Sequence, residues 1–593
     1  MAECELSYNK IVFRIVVPAA LALAAVLSAQ TALFPLKDIK PGMRATGRTV
    51  FSGNRVEDFQ AEILGVLENI GPKQSLILAR LSGGPLEKTG VLQGMSGSPV
   101  YIDGRLVGAV AMAFPFAKEA ITGIRPIEDM LRVSGAGTEP LRQAKVSLDS
   151  PDLTAALPRP EEALAGDMRM VDIATPVWFG GFTRAAIERF APQLRALGLE
   201  PRQGVSSGGR VDPRMGNPSA LEPGSMISVQ LMTGDMSIGA DGTVTYIDKG
   251  KIYAFGHRFL SVGPTELPFA RSEVLTLLPN LASSFKISSP KEWMGTISQD
   301  RNTAIAGEMG KRARMAPVSI SLSRAGSKIE GYEMQMVNDR FLAPFLMQIA
   351  VFSAIDSTER TLGAATYSVR GQVEFQGNAP PLKLNNMYAG DANTALQVSL
   401  SAAVPLAYLL QSGFPSLEVK NVALQIESFD QKKQLQIDQV IASPHEVRPG
   451  EKVKLTTVLV GDDGAEVART VDYAVPIGAT PGLLCFTVTD GNVANLAEFR
   501  QILNSTPRSV QQLVGNVNKL RANTKAYVRV WRPEPNFQLE GEDFPDPPPS
   551  LALILGASQN AVQARNSKLL ELEISAGDAV ISGAKSAQVE IKE

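Results

Sequence analysis

Ser96 stands between two glycines in Gly94-Met95-Ser96-Gly97-Ser98-Pro99, and only two histidines, His257 and His445, are present to serve it as a base. A serine hydroxyl is a weak nucleophile until a neighbouring group takes its proton, and imidazole does so near neutral pH. Such a serine also needs a tight turn with backbone N–H groups aimed at the developing oxyanion. Gly94 and Gly97 let the chain pass close to a substrate without a Cβ in the way, and the N–H groups of Gly94 and Ser96 are the candidate oxyanion donors. The same segment also reads as a glycine-rich turn between core strands, because Asp103-Gly104 joins two apolar runs as a hairpin. His257 follows the apolar run Lys251–Phe255 and Gly256, where a side chain projects from a barrel rim. His445 lies in Ser443-Pro444-His445-Glu446, a polar lead-in to a strand, and reads as a surface residue.

The run Gly90-Val91-Leu92-Gln93-Gly94-Met95-Ser96-Gly97-Ser98-Pro99-Val100, with Gly104 and Gly108-Ala109-Val110 after it, resembles the serine segment of the SpoIVB-type serine peptidases, which are placed with the chymotrypsin-like proteases. The resemblance extends from Lys40 to Leu131. Gly242-Thr243-Val244-Thr245-Tyr246 and Ala254-Phe255-Gly256-His257, then Gly295-Thr296-Ile297, Asp300-Arg301-Asn302-Thr303 and Gly307, resemble the histidine segment of the same family. The likeness implies Ser96 rather than Ser98 as nucleophile, His257 as base, a protein or peptide substrate and no cofactor. It also implies that the strand after the serine hairpin, Ala109 to Phe114, lines the specificity pocket; its small or apolar residues favour an uncharged side chain before the cut bond.

Two departures stand beside the likeness. The family carries an aspartate shortly before the serine, whereas Arg80-Leu81-Ser82-Gly83-Gly84-Pro85 holds no acid. Ser82 is a weaker orienter there, Asp300 lies downstream of His257, Asp241 and Asp248 lie near the histidine strand, and a Ser–His pair oriented by a carbonyl is the remaining arrangement. The order is also reversed: Ser96 precedes His257 by 161 positions, so two barrel halves must meet at one site, because such sites are defined by geometry and not by chain order.

The elements that would position these residues follow from the rest of the chain. At 593 residues it has room for three or four domains, and 44% hydrophobic with 20% charged residues is an ordinary globular balance. A net charge of −2 with scattered basic residues gives no nucleic-acid footprint. Cys4 and Cys485 offer no disulfide framework, and two histidines exclude a His-rich metal centre. The apolar run Ile15–Ala29 suits a signal-peptide core within residues 1–32, with an uncleaved anchor as the competing reading, and so implies an exported, periplasmic or secreted protein.

The fold implied is mainly β: chymotrypsin-like β-barrel halves followed by immunoglobulin-like β-sandwich domains, with few helices. Residues 33–133 read as the serine-bearing half and 134–222 as a linker with one helix at Arg184–Leu197. Residues 223–320 read as the histidine-bearing half and 321–434 as a mixed β region. Residues 435–490 read as an immunoglobulin-like sandwich, and 491–593 as a helical pair, a Pro-rich spacer and terminal strands. The function expected is an exported endopeptidase with a possible envelope protein partner. The rival is a non-catalytic envelope scaffold on a degenerate peptidase domain, favoured by the missing aspartate and the reversed order.

Overall fold

Short apolar runs separated by glycine turns close on themselves between Arg44 and Pro126. A computed structural model of the chain describes residues 32–135, 152–160, 163–165, 168–204, 211–324, 327, 330–358, 362–496, 507–534, 536–539, 542–545, 547–558, 561–564 and 567–593. The leader or anchor expected at residues 1–32 lies almost wholly outside these, as do Cys4 and parts of the expected linker and helical pair. The described residues are 53% strand and 18% helix, which puts them in the mainly-β class.

Strands β1 (Arg44–Ser52), β2 (Arg55–Gly71), β3 (Gln74–Ser82), β4 (Pro99–Ile102), β5 (Arg105–Ala113) and β6 (Ile121–Pro126) pair in the order β4-β1-β2-β3-β6-β5, and β4 pairs again with β5. The serine-bearing unit is therefore a closed six-stranded barrel in its own right and not an open half. Phe59, Ala61 and Ile63 on β2 and Ile77, Ala79 and Leu81 on β3 recur at every second residue and fill its core.

The stretch read as a linker carries strands β7 (Ala163–Ala165), β8 (Met168–Asp172), β9 (Thr175–Gly180), β10 (Leu199–Gln203) and β11 (Asp212–Met215). Strand β8 adds to β5 at Met112–Ala113, while β9 and β10 enter the next sheet. The helix between them is Arg184–Ala196; Thr183 Oγ1 accepts the Ala186 N–H at its start, and Phe190 packs edge-on against Phe345 and Phe352. Strands β12 (Met226–Gly234), β13 (Ser237–Asp248), β14 (Lys251–Ala254), β15 (Gly263–Leu278), β16 (Phe285–Arg301) and β17 (Ala304–Met309) belong to a 14-stranded sheet that continues to Phe429. One apolar core runs from Leu153 to Val517, so the residues around 320 are interior to a sheet. Helices Leu342–Thr358 and Thr394–Leu410 pack into that core, the first buried from Leu342 to Ile355. No helix of the described residues is long and apolar enough to cross a membrane.

Two sheets of four and five strands pack across a shared core after residue 434. They draw on Gly482–Asp490, Lys525–Arg532, Ser567–Ser575 and Ala584–Ile591, so this sandwich reaches the end of the chain and is not confined to 435–490. Cys485 is buried in it as a free thiol.

The barrel and the large sheet share surfaces. Gln93 bridges to Phe285 and Gly53 to Val274, and Leu106, Ala109, Ile127 and Met130 pack with Tyr246, Tyr253 and Ala306.

Candidate active site

The serine turn is held by the barrel on one side and by β13 on the other. Gly94 and Gly97 take φ of +90° and +95°, left-handed values that L side chains rarely adopt. Gly97 N–H donates to Val110 O at 2.7 Å, and Ser98 N–H to Met95 O at 2.9 Å. From β13, Thr243 N–H donates to Ser96 O, Thr243 Oγ1 to Gly94 O, and Thr245 Oγ1 to Gly97 O. A Cβ on Gly97 would lie 2.0 Å from Thr243 O and 2.6 Å from Phe255 N, so only glycine lets the two chains meet here. Ser96 is fully buried and its Oγ has no hydrogen-bond partner. Among the described residues no hydrogen bond engages the Gly94 or Ser96 N–H, the two groups read as oxyanion donors.

The histidine turn approaches the same strand. Phe255 and Gly256 take φ of +71° and +70°, and a left-handed phenylalanine is a strained residue. A Cβ on Gly256 would lie 3.2 Å from Val110 O, the oxygen that accepts from Gly97. The residue after Ser96 and the residue before His257 thus converge on one carbonyl. His257 is 1% exposed, and its Nδ1 lies 2.6 Å from Arg258 O. A carbonyl can only accept, so Nδ1 carries the proton and Nε2 keeps its lone pair. That Nε2 is buried without a partner. Burial lowers the imidazole pKa below its ordinary value; Asp172 opposes the shift, while Arg125 and Arg258 add to it.

Neither Ser96 Oγ nor His257 Nε2 has a partner, so the two are not hydrogen bonded to each other, and both lie in the interior and not at a rim. The reason is the tight seam between β5 and β13, which encloses both turns.

Asp300 does not face Nδ1 as expected. Its Oδ1 accepts from Phe259 N–H at 2.9 Å, and its Oδ2 from Leu260 N–H at 2.7 Å and Val262 N–H at 3.3 Å. Three orphan amides after the histidine turn out-compete a single imidazole N–H, and Asp300 clamps the loop that carries His257. Burial nonetheless pushes its pKa up to about 6. The acceptor at His257 Nδ1 is the Arg258 carbonyl. Ser82 is at the exposed end of β3, Asp248 pairs with Lys251 at the β13–β14 hairpin, and His445 is on the surface.

Two charged residues next to the turns escaped the sequence reading. Lys286 is fully buried, its stem lies against Gly94, and its Nζ donates to Thr49 Oγ1 at 2.7 Å, which also accepts from Ser98 Oγ at 3.0 Å. Burial pulls the Lys286 amine down to about 7 against the opposing field of Asp241, whose own pKa burial raises to about 6. Asp241 also accepts from Ser288 Oγ. Asp172 sits on β8 opposite Met112, two residues along β5 from Val110. A lysine in a strand and an acid in an apparent linker carry no local signal; only the pairing of remote segments reveals them.

Residues 25–131 match the SpoIVB peptidase S55 family, and the rest of the chain is unassigned. No curated protein and no solved structure matches the chain. The matched segment contains Ser96 and the whole closed barrel; His257 and Asp300 lie outside it.

Proposed function

We propose that the protein is an exported serine endopeptidase that cleaves an envelope or secreted protein, with Ser96 and His257 acting as a dyad. The observation that carries this reading is the pair of orphaned buried groups: a serine oxygen and an imidazole lone pair, on turns that converge on the Val110 carbonyl. An unpartnered buried polar atom is costly, and two of them on adjoining turns call for a shared purpose. Engagement shortens the gap between Ser96 Oγ and His257 Nε2 to hydrogen-bond length. Ser96 Oγ then attacks the scissile carbonyl as its proton passes to Nε2. The imidazolium is stabilised by Nδ1–H donating to Arg258 O and by the negative field of Asp172. The Gly94 and Ser96 N–H groups receive the oxyanion, and His257 returns the proton to the leaving amine. Water hydrolyses the acyl-enzyme by the same steps in reverse order, with no cofactor.

A fluorophosphonate probe tests the assignment. Labelling mapped to Ser96, and lost in His257→Ala, supports it; an unlabelled, folded protein overturns it. The second reading, a non-catalytic scaffold on a peptidase-derived barrel, is favoured by the absence of a Ser96–His257 hydrogen bond and the commitment of Asp300 to backbone amides.

A further inference from the structure

We propose that the cavity between the barrel and the loop at Asn280–Ser284 is a substrate subsite for a lysine or arginine side chain, with Asp172 as its specificity-determining residue. The proposal rests on the peptidase reading for its peptide context. The cavity encloses about 250 Å³, room for one long side chain. Gln93, the residue before Gly94 of the serine turn, forms part of its wall. Val91, Phe114, Ile121 and Ile173 supply apolar wall, and Asp172 stands among them half-buried.

The chemistry of that lining selects a cation on an apolar stem. Among the described residues no hydrogen bond or ion pair engages the Asp172 carboxylate, and no lysine or arginine lines the cavity. The other lining acid, Glu119, is held by Arg80 Nε at 2.8 Å. Arg125 feels the charge of Asp172, but it is buried away from the cavity and gives Nη1 to Gln74. An apolar side chain in this space would strip water from a carboxylate and give it nothing in return. A lysine or arginine buries its methylenes along the walls and brings a charge-assisted donor to the acid. One carboxylate without companion ligands does not make a metal site, and no metal-holding group of acids, histidines or cysteines occurs among the described residues. The uncharged preference read from Ala109–Phe114 considered one strand only; β8 brings the acid from another.

The test uses the full chain with benzamidine, followed by calorimetry, and peptides differing only in the residue before the cut. Wild type should bind benzamidine saturably, Asp172→Asn should weaken it at least tenfold, and Asp172→Lys should abolish it. The kcat/KM ratio of arginine over leucine peptides should fall about 100-fold in Asp172→Asn. In Asp172→Lys it should fall further, with glutamate peptides gaining. Asp172→Ser, read the same way, covers the case in which one variant misfolds. Failure of benzamidine to bind, or equal binding by wild type and Asp172→Asn, overturns the subsite. Asp172-dependent binding without labelling of Ser96 overturns the peptidase reading alone and leaves the cavity as a site for organic cations.

Discussion

The serine turn and the histidine turn solve one problem with different means. The serine turn takes its left-handed positions on glycines, so its geometry is nearly free of steric strain. The histidine turn places one on Phe255, which is strained by about 1–3 kcal/mol, and then clamps the following loop with the three amide bonds to Asp300. The first turn lies in the segment matched to a peptidase family; the second lies in an unassigned sheet. The contrast teaches that a sequence motif marks the half whose conformation is written in its own residues. The other half is enforced by residues some 40 positions away and leaves a fainter trace.

The sharpest way to break this comparison is at the reacting atoms. Ser96→Ala and His257→Ala should each lower peptidase turnover by about 10⁴-fold, and the double variant should lose little more. Additive losses would mean that the two turns do not serve one site.

Next comes the seam between the turns. Gly97→Ala places a methyl onto Thr243 O and Phe255 N at a left-handed φ, and should destabilise the chain by about 4 kcal/mol in denaturant unfolding. A neutral outcome would mean that the barrel and the sheet are not locked here.

The clamp is weaker but specific. Asp300→Asn turns an amide donor toward backbone N–H groups and should cost about 1–3 kcal/mol, with slower Ser96 labelling at matched folded fraction. Unchanged labelling would make Asp300 a stability residue only.

Lys286 tests the serine side through pH. Its amine titrates at about 7 when folded and near 10.5 when unfolded, so the unfolded chain binds the extra proton between those values. Stability from this group therefore rises from pH 7 to pH 10, and Lys286→Met should flatten that rise and stabilise the protein at pH 7 by on the order of 2 kcal/mol. The smallest effect is on the acid limb of kcat/KM. Burial lowers the His257 pKa, so this limb should fall below the ordinary 6.5, and lower still in Asp172→Asn, because Asp172 opposes the shift.

Much of the local structure was legible. The Asp103-Gly104 hairpin and the helix after Thr183 follow from turn chemistry and from the spacing of Ile187, Phe190 and Leu194. The barrel's closure, the reach of the large sheet and the extent of the terminal sandwich were not, because they depend on pairings between remote strands. Asp300 was legible as a residue near His257 but not as a clamp, since amides have no sequence signature. Lys286 carried no signal, because nothing within its own strand says that Gly94 and Thr49 cover it.

The barrel closes before residue 127, whereas the threonines that brace its serine turn come about 150 residues later. A ribosome delivers these parts in sequence, and N-terminal units fold first. The newborn barrel therefore emerges with its serine present but with neither imidazole nor brace. On the peptidase reading, hydrolytic competence waits until β13 and the turn after β14 have been made and docked. A chain that stalls or is cut between the barrel and Thr243 carries the serine turn without the bonds that brace it.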